Sequence, residues 1–224
     1  MTDNFPKTLI FITGYRHLTE YNYFNLFLKN LKFKDHCDIF IYCNNQDISP
    51  EIVNCYHQFE QKNKNLFITS LNSGHRIGGV EALSQGFEMG IFKNYDYVIH
   101  LHPDVFITDD TPLLDILLKN KDNDNVFFIT KSFMNEESMF SFDFFIFKPK
   151  LIKTNIFIND LYKFEEYPEQ YLRNMIISNN IKYEFIKRYD NDYWEPRRID
   201  NLKLYHEHDL EKVEIVLREK NLLL

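Results

Sequence analysis

Five apolar, aromatic-rich runs recur through the first 130 positions, and a helix-spaced segment follows each of the first four. That alternation constrains the fold more than any other feature. Thr8-Leu9-Ile10-Phe11-Ile12-Thr13 reads as a buried strand stopping at Gly14, and Leu18 to Leu31 then carries Phe24, Phe27, Leu28 and Leu31 at helical spacing. Asp38 to Cys43 is a second strand, and Ser49-Pro50-Glu51 opens a helix with proline at its first position. Asn65 to Leu71 is a third, and the spacing predicts a helix from Gly78 through Val80, Leu83 and Phe87 to Gly90. Asp96 to Ile107 reads as a fourth strand broken by a polar tip, Thr111-Pro112 starts a helix to Leu118, and Asn125 to Thr130 is a fifth strand. Strands separated by helices predict a mainly parallel α/β sheet with helices on both faces.

Beyond position 130 the rhythm changes. Ser141 to Phe147 reads as a strand ending at Lys148-Pro149, Glu169 to Asn179 as a helix, and Tyr183 to Ile186 as a last strand. A polar tail with Trp194, His206 and His208 precedes a terminal helix. The 224 residues contain no repeat or linker, which predicts one domain with halves at about 7–130 and 131–224. The net charge of −7 argues against a protein held to nucleic acid by its phosphates. Cys37, Cys43 and Cys55 follow no zinc spacing and read as reduced thiols. With no apolar leader and no window long enough to span a bilayer, the expectation is a soluble, cytoplasmic protein.

In a sheet of this kind ligands bind beyond the carboxyl ends of the strands. Those tips are Thr13-Gly14-Tyr15-Arg16, Asn44-Asn45, Asn72-Ser73-Gly74 and His102-Pro103-Asp104. The first three carry small polar groups suited to a base and ribose, and Arg16 suits a phosphate or a base face; ordinary strand-end turns use the same residue types. Gly74-His75-Arg76-Ile77-Gly78-Gly79 lacks the dinucleotide spacing. It fits equally a diphosphate cradle at a helix start, with Arg76 as the cation, and a capping turn. The fourth tip says most. An apolar strand delivers His102 and Asp104, and a carboxylate there is a hard ligand for Mg²⁺ or Mn²⁺ that also reaches substrate phosphates. Downstream, Tyr205-His206-Glu207-His208-Asp209 offers two imidazoles to the same ion.

A strand, a polar tip with a DxD-type acid and a later histidine resemble the GT-A class of nucleotide-sugar glycosyltransferases, over Thr8 to about His208. Asp104 matches the final acid of that motif, while His102 replaces the first. The run His100 to Phe106 also resembles small glycosyltransferase domains of large DNA viruses, of the chlorella-virus capsid-glycan type, for which a host cytoplasm would be the setting. The resemblance implies a GT-A, Rossmann-like fold and an inverting hexosyl- or deoxyhexosyltransferase. It also implies Mn²⁺ or Mg²⁺ on Asp104 with His206 or His208, a UDP-, GDP- or TDP-sugar donor, and a glycan or glycoprotein acceptor. Donor contacts fall on Thr13, Gly14, Tyr15, Arg16, Asn44, Asn72, Arg76 and His102. An inverting transferase needs a general base. Glu169, in the xED-like Pro168-Glu169-Gln170, is the first candidate and Asp143 the second. Trp194 is the candidate stacking face for the acceptor.

Two other functions share these features. A nucleotidyltransferase holds metal on similar strand tips but carries a longer basic, glycine-rich loop after its first strand. A carbohydrate- or protein-binding module on the same fold needs no base.

Overall fold

The computed structural model describes residues 5–14, 18–44, 50–59, 64–69, 74–134, 137–153, 156–157, 167–189 and 198–223. Strand β1 (Thr8–Gly14) is apolar on both faces because both faces are covered. Ile10 and Ile12 point into one cluster with Phe24, Phe27 and Leu28 of α1 (Leu18–Leu28), Leu113 and Leu117 of α4 (Thr111–Lys119), and Val213 and Leu217 of α6 (Leu210–Glu219). Leu9 and Phe11 point the other way, to Val80, Ala82 and Leu83 of α3 (Gly74–Glu88) and to Leu172, Met175 and Ile176 of α5 (Pro168–Ser178). The sheet is thus the middle of three layers.

β1 pairs in parallel with β2 (Cys37–Cys43) and with β4 (Tyr97–Leu101), and β2 with β3 (Lys64–Ile68). Helix α2 (Pro50–Gln58) connects β2 to β3. The parallel, doubly wound half expected from the alternation is therefore present. Beyond β4 lie β7 (Glu137–Phe147), antiparallel to it, then β6 (Phe127–Met134) and β8 (Tyr183–Phe185). The described strands make a seven-stranded sheet in the order β3-β2-β1-β4-β7-β6-β8, mixed but mostly parallel.

Three details depart from the sequence expectations. Helix α3 begins at Gly74, not Gly78, so Gly78 and Gly79 lie one turn inside it. A Cβ on Gly78 would stand 2.2 Å from the Asn44 side-chain nitrogen, and one on Gly79 2.6 Å from the Phe142 ring. These glycines permit close packing of helix on strand tip. The second departure is β5 (Val105–Ile107), which does not continue β4. Pro103 has no N–H to extend the ladder, and the chain turns there with Val105 N–H donating to His102 O at 3.1 Å. β5 pairs instead with β9 (Leu204–His206), a strand within what reads as a polar tail. The third is a change of phase in β7. Phe140 and Phe142 face the α3/α5 side, yet Phe144 faces the opposite side and Phe145 returns. A register irregularity in the β6–β7 pairing accompanies it, between Ile129 and Lys131, and Asp143 sits at the switch.

Candidate active site

The β5–β9 ribbon builds the centre of the site. Val105 pairs with His206, and Glu207 N–H donates to Asp104 O at 3.2 Å. The ribbon is anchored by Phe106 and Leu204, both fully buried. This register brings the β4 tip and the tail together: Asp104 Oδ2 lies 2.8 Å from His208 Nδ1 and 3.5 Å from His206 Nε2. One ligand atom from each of Asp104, His206 and His208 can be chosen so that all lie within 4.8 Å of one another. Asp104 and His206 are buried and His208 faces solvent, so the group is closed on the protein side and open on the other.

Electrostatics favour a cation here. Burial pushes the Asp104 carboxyl up, but hydrogen bonding with His206 and His208 outweighs it and holds the group well below the usual carboxylate range. Its other oxygen, Oδ1, is buried and has no hydrogen-bond partner among the described residues. An ionised oxygen left so is costly unless something positive meets it. Burial lowers the His206 imidazole, yet Asp104 and Asp143 on its two sides raise it to about 9. Asp104, His206 and His208 are chemically the donor set of a divalent transition-metal or manganese site, and the orphaned Oδ1 fits such an ion.

Asp143 lies directly behind this group. At the phase change in β7 its backbone carbonyl accepts from His102 N–H at 3.0 Å. Its Oδ2 is 3.0 Å from His206 Nδ1 and 2.7 Å from Arg188 Nη1, and its Oδ1 accepts from the Ser141 hydroxyl. Burial pushes this carboxyl up, and the Arg188 guanidinium with His206 overrides that and holds it well below the usual range. Such a carboxylate is a poor proton acceptor, and both its oxygens are committed. The geometry therefore argues against Asp143 as the base. Arg188 also donates from Nε to Asp200, which in turn accepts the N–H groups of Leu202 and Leu204, each at 2.9 Å. Arg188 and Asp200 are not evident from residue spacing. The strand-tip rule does reach Arg188, three residues past β8.

Of the donor candidates, Thr13 is at the tip of β1, but its hydroxyl is 2.9 Å from Nε2 of His100, which is wholly buried and held neutral by that burial. Gly14 and Asn44 are joined by Asn44 N–H to Gly14 O at 2.9 Å, and the Asn44 amide oxygen accepts from the Thr69 hydroxyl at 3.0 Å. His102, half-buried, packs its ring near those of His100 and Phe142. Tyr15, Arg16, Asn72 and Trp194 lie outside the described residues, as does the side chain of Arg76. Glu169 stands half-buried in the first turn of α5. β8 is parallel to β6 and so to β4, and α5 immediately precedes β8; the helix therefore starts at the end of the sheet where Asp104 lies.

No protein-family profile and no curated protein matches the sequence. Solved structures do resemble it. The galactosyltransferase LgtC, solved with donor and acceptor sugar analogues, is 11% identical with a TM-score of 0.57, over 96% of this chain and 94% of that one. A CMP:2-keto-3-deoxy-manno-octonic acid synthetase, solved with CTP, is 11% identical with a TM-score of 0.54, over 96% and 99%. The glycosyltransferase GlyE of Streptococcus pneumoniae TIGR4 is 16% identical with a TM-score of 0.51. That match covers 82% of this chain, which spans 46% of GlyE. At these identities the likeness is one of fold: a GT-A, Rossmann-like sheet shared by nucleotide-sugar glycosyltransferases and a nucleotidyltransferase.

Proposed function

We propose that this chain is a divalent-metal-dependent glycosyltransferase that moves a hexosyl or deoxyhexosyl group from a nucleoside-diphosphate sugar to a hydroxyl of a glycan or glycoprotein, with inversion. The observation that carries the reading is the gathering of Asp104, His206 and His208 beyond the carboxyl end of β4, on a sheet of GT-A type. Mn²⁺ or Mg²⁺ held by these three residues would supply Lewis-acid neutralisation of the leaving diphosphate.

The remaining work falls to the chain. The tips of β1 and β2, through Gly14 and Asn44, floor the nucleotide site, and the roles of base and diphosphate contacts are assigned to Tyr15, Arg16, Asn72 and Arg76. His102, in place of a second acid, leaves the tip with one carboxylate. Glu169 takes the proton of the acceptor hydroxyl as that oxygen bonds to the anomeric carbon. The carbon–oxygen bond to the diphosphate breaks, and its electron pair leaves with the nucleotide. Trp194 supplies a stacking face for the acceptor. The narrower likeness to viral glycosyltransferase domains is supported by the run His100 to Phe106.

Calorimetry with UDP-, GDP- and TDP-sugars, each with Mn²⁺ and with EDTA, tests the reading. Metal-dependent binding of a nucleotide sugar is expected. Binding of nucleoside triphosphates instead, with pyrophosphate release, would make the chain a nucleotidyltransferase, against which the short Gly14-to-Leu18 connection already weighs. No nucleotide binding at all would leave a binding module.

A further inference from the structure

The carboxylate behind His206 has no place in the chemistry above, yet three side chains hold it: Arg188, His206 and Ser141. The imidazole has a carboxylate oxygen near each nitrogen: Asp104 Oδ2 lies 3.5 Å from Nε2 and Asp143 Oδ2 3.0 Å from Nδ1, ion-pair contacts rather than aligned hydrogen bonds. Asp143 is itself gripped by Arg188, whose side chain is only 2% exposed, and Arg188 is gripped by Asp200. Asp200 then fixes the backbone of the turn that leads into β9, through Leu202 and Leu204 N–H, so the chain of contacts returns to the strand carrying His206. The contacts close a ring around one imidazole. Nε2 is the nitrogen beside Asp104, at 3.5 Å.

We infer that Asp143 and Arg188 are positioning residues, which hold the proton of His206 on Nδ1 and so present Nε2 as the metal-ligating nitrogen. A carboxylate on the outer N–H of a ligating histidine fixes its tautomer and ring orientation and makes it a better donor, and its loss typically lowers metal affinity about 10–100-fold. Arg188 neutralises the buried carboxylate and fixes its direction, since one planar guanidinium spans Asp143 and Asp200. The inference rests on the metal reading and is tested without donor, acceptor or turnover.

Two measurements are needed on the full chain. Nitrogen-15 NMR of the Zn²⁺-loaded protein, zinc serving as a diamagnetic stand-in, reads which His206 nitrogen keeps its hydrogen; Nδ1–H with Nε2 on the metal is expected. Mn²⁺ titration followed by electron paramagnetic resonance then compares the wild type with Asp143→Asn, which keeps the size and an acceptor oxygen but not the charge. A loss of about tenfold or more in Mn²⁺ affinity is expected. Ligation through Nδ1, or Mn²⁺ affinity in Asp143→Asn within twofold of the wild type, overturns the inference and leaves the metal reading standing. A wild type that binds no Mn²⁺ or Zn²⁺ overturns both. Should Asp143→Asn fail to fold, the NMR of the wild type decides alone.

Discussion

Asp104 and Glu169 are both carboxylates at one end of one sheet, and the proposed function gives them opposite tasks in different surroundings. Asp104 is buried with an orphaned oxygen and held ionised by two imidazoles, so its environment suits a cation and not a proton. Asp104→Asn is nearly isosteric and removes only the charge. It is expected to keep the fold by circular dichroism while abolishing Mn²⁺-dependent nucleotide-sugar binding in calorimetry; unchanged binding in EDTA would refute the assignment. Glu169 is half-buried at a helix start. Glu169→Gln keeps size and hydrogen bonding but cannot take a proton, so kcat is expected to fall about 10²–10⁴-fold, with Mn²⁺ and donor affinity unchanged. If kcat survives, the inverting mechanism through Glu169 is lost. Asp104 was legible in the sequence from its place at a strand tip, and so were the two histidines as its partners. Asp200 was not, and Arg188 only as a residue beyond a strand tip, because nothing in local spacing reports that two charges will meet in the interior.

Among the elements, α3 shows how a glycine-rich segment can carry two readings until packing separates them. Gly78 and Gly79 look like a phosphate loop in the sequence, yet they lie one turn inside a helix pressed against Asn44 and Phe142. Gly78→Ala would place a methyl 2.2 Å from the Asn44 amide nitrogen. To make room, Asn44 must turn away from Thr69, and overpacking of this kind typically costs about 1–3 kcal/mol. A lower urea midpoint with an unchanged slope is therefore expected, together with weaker nucleotide binding if Asn44 floors that site. A midpoint equal to the wild type would show that the tip yields freely. β7 carries a subtler signal. Phe142 and Phe144, two residues apart, face opposite sides of the sheet just before the doubled aromatic Phe144-Phe145, and that break marks the point where Asp143 is aimed at His206. The doubled aromatic was visible in the sequence, but which residue it would re-aim was not.

At the scale of the molecule, the site joins the first half of the chain to the end of the second. Asp104 follows β4 and His206 ends β9, so the unfolded chain has no comparable site and a metal should bind the native state selectively. Mn²⁺ is expected to raise the melting temperature by mass action, by roughly 2.7 kcal/mol of added stability at about 100 times its dissociation constant. EDTA should reverse the shift and Asp104→Asn should remove it. A melting temperature indifferent to Mn²⁺ would count against the triad as an ion site. The sequence by itself determined the parallel half of the sheet, because strands buried on both faces and amphipathic helices are written in local periodicity. It determined the Asp104 tip for the same reason: the end of an apolar strand is a local event. The β5–β9 pairing, the phase change in β7 and the Arg188 bridge were decided by tertiary structure. Each depends on a contact between residues far apart in the chain, whose pairing energy is realised only once the core has brought them together.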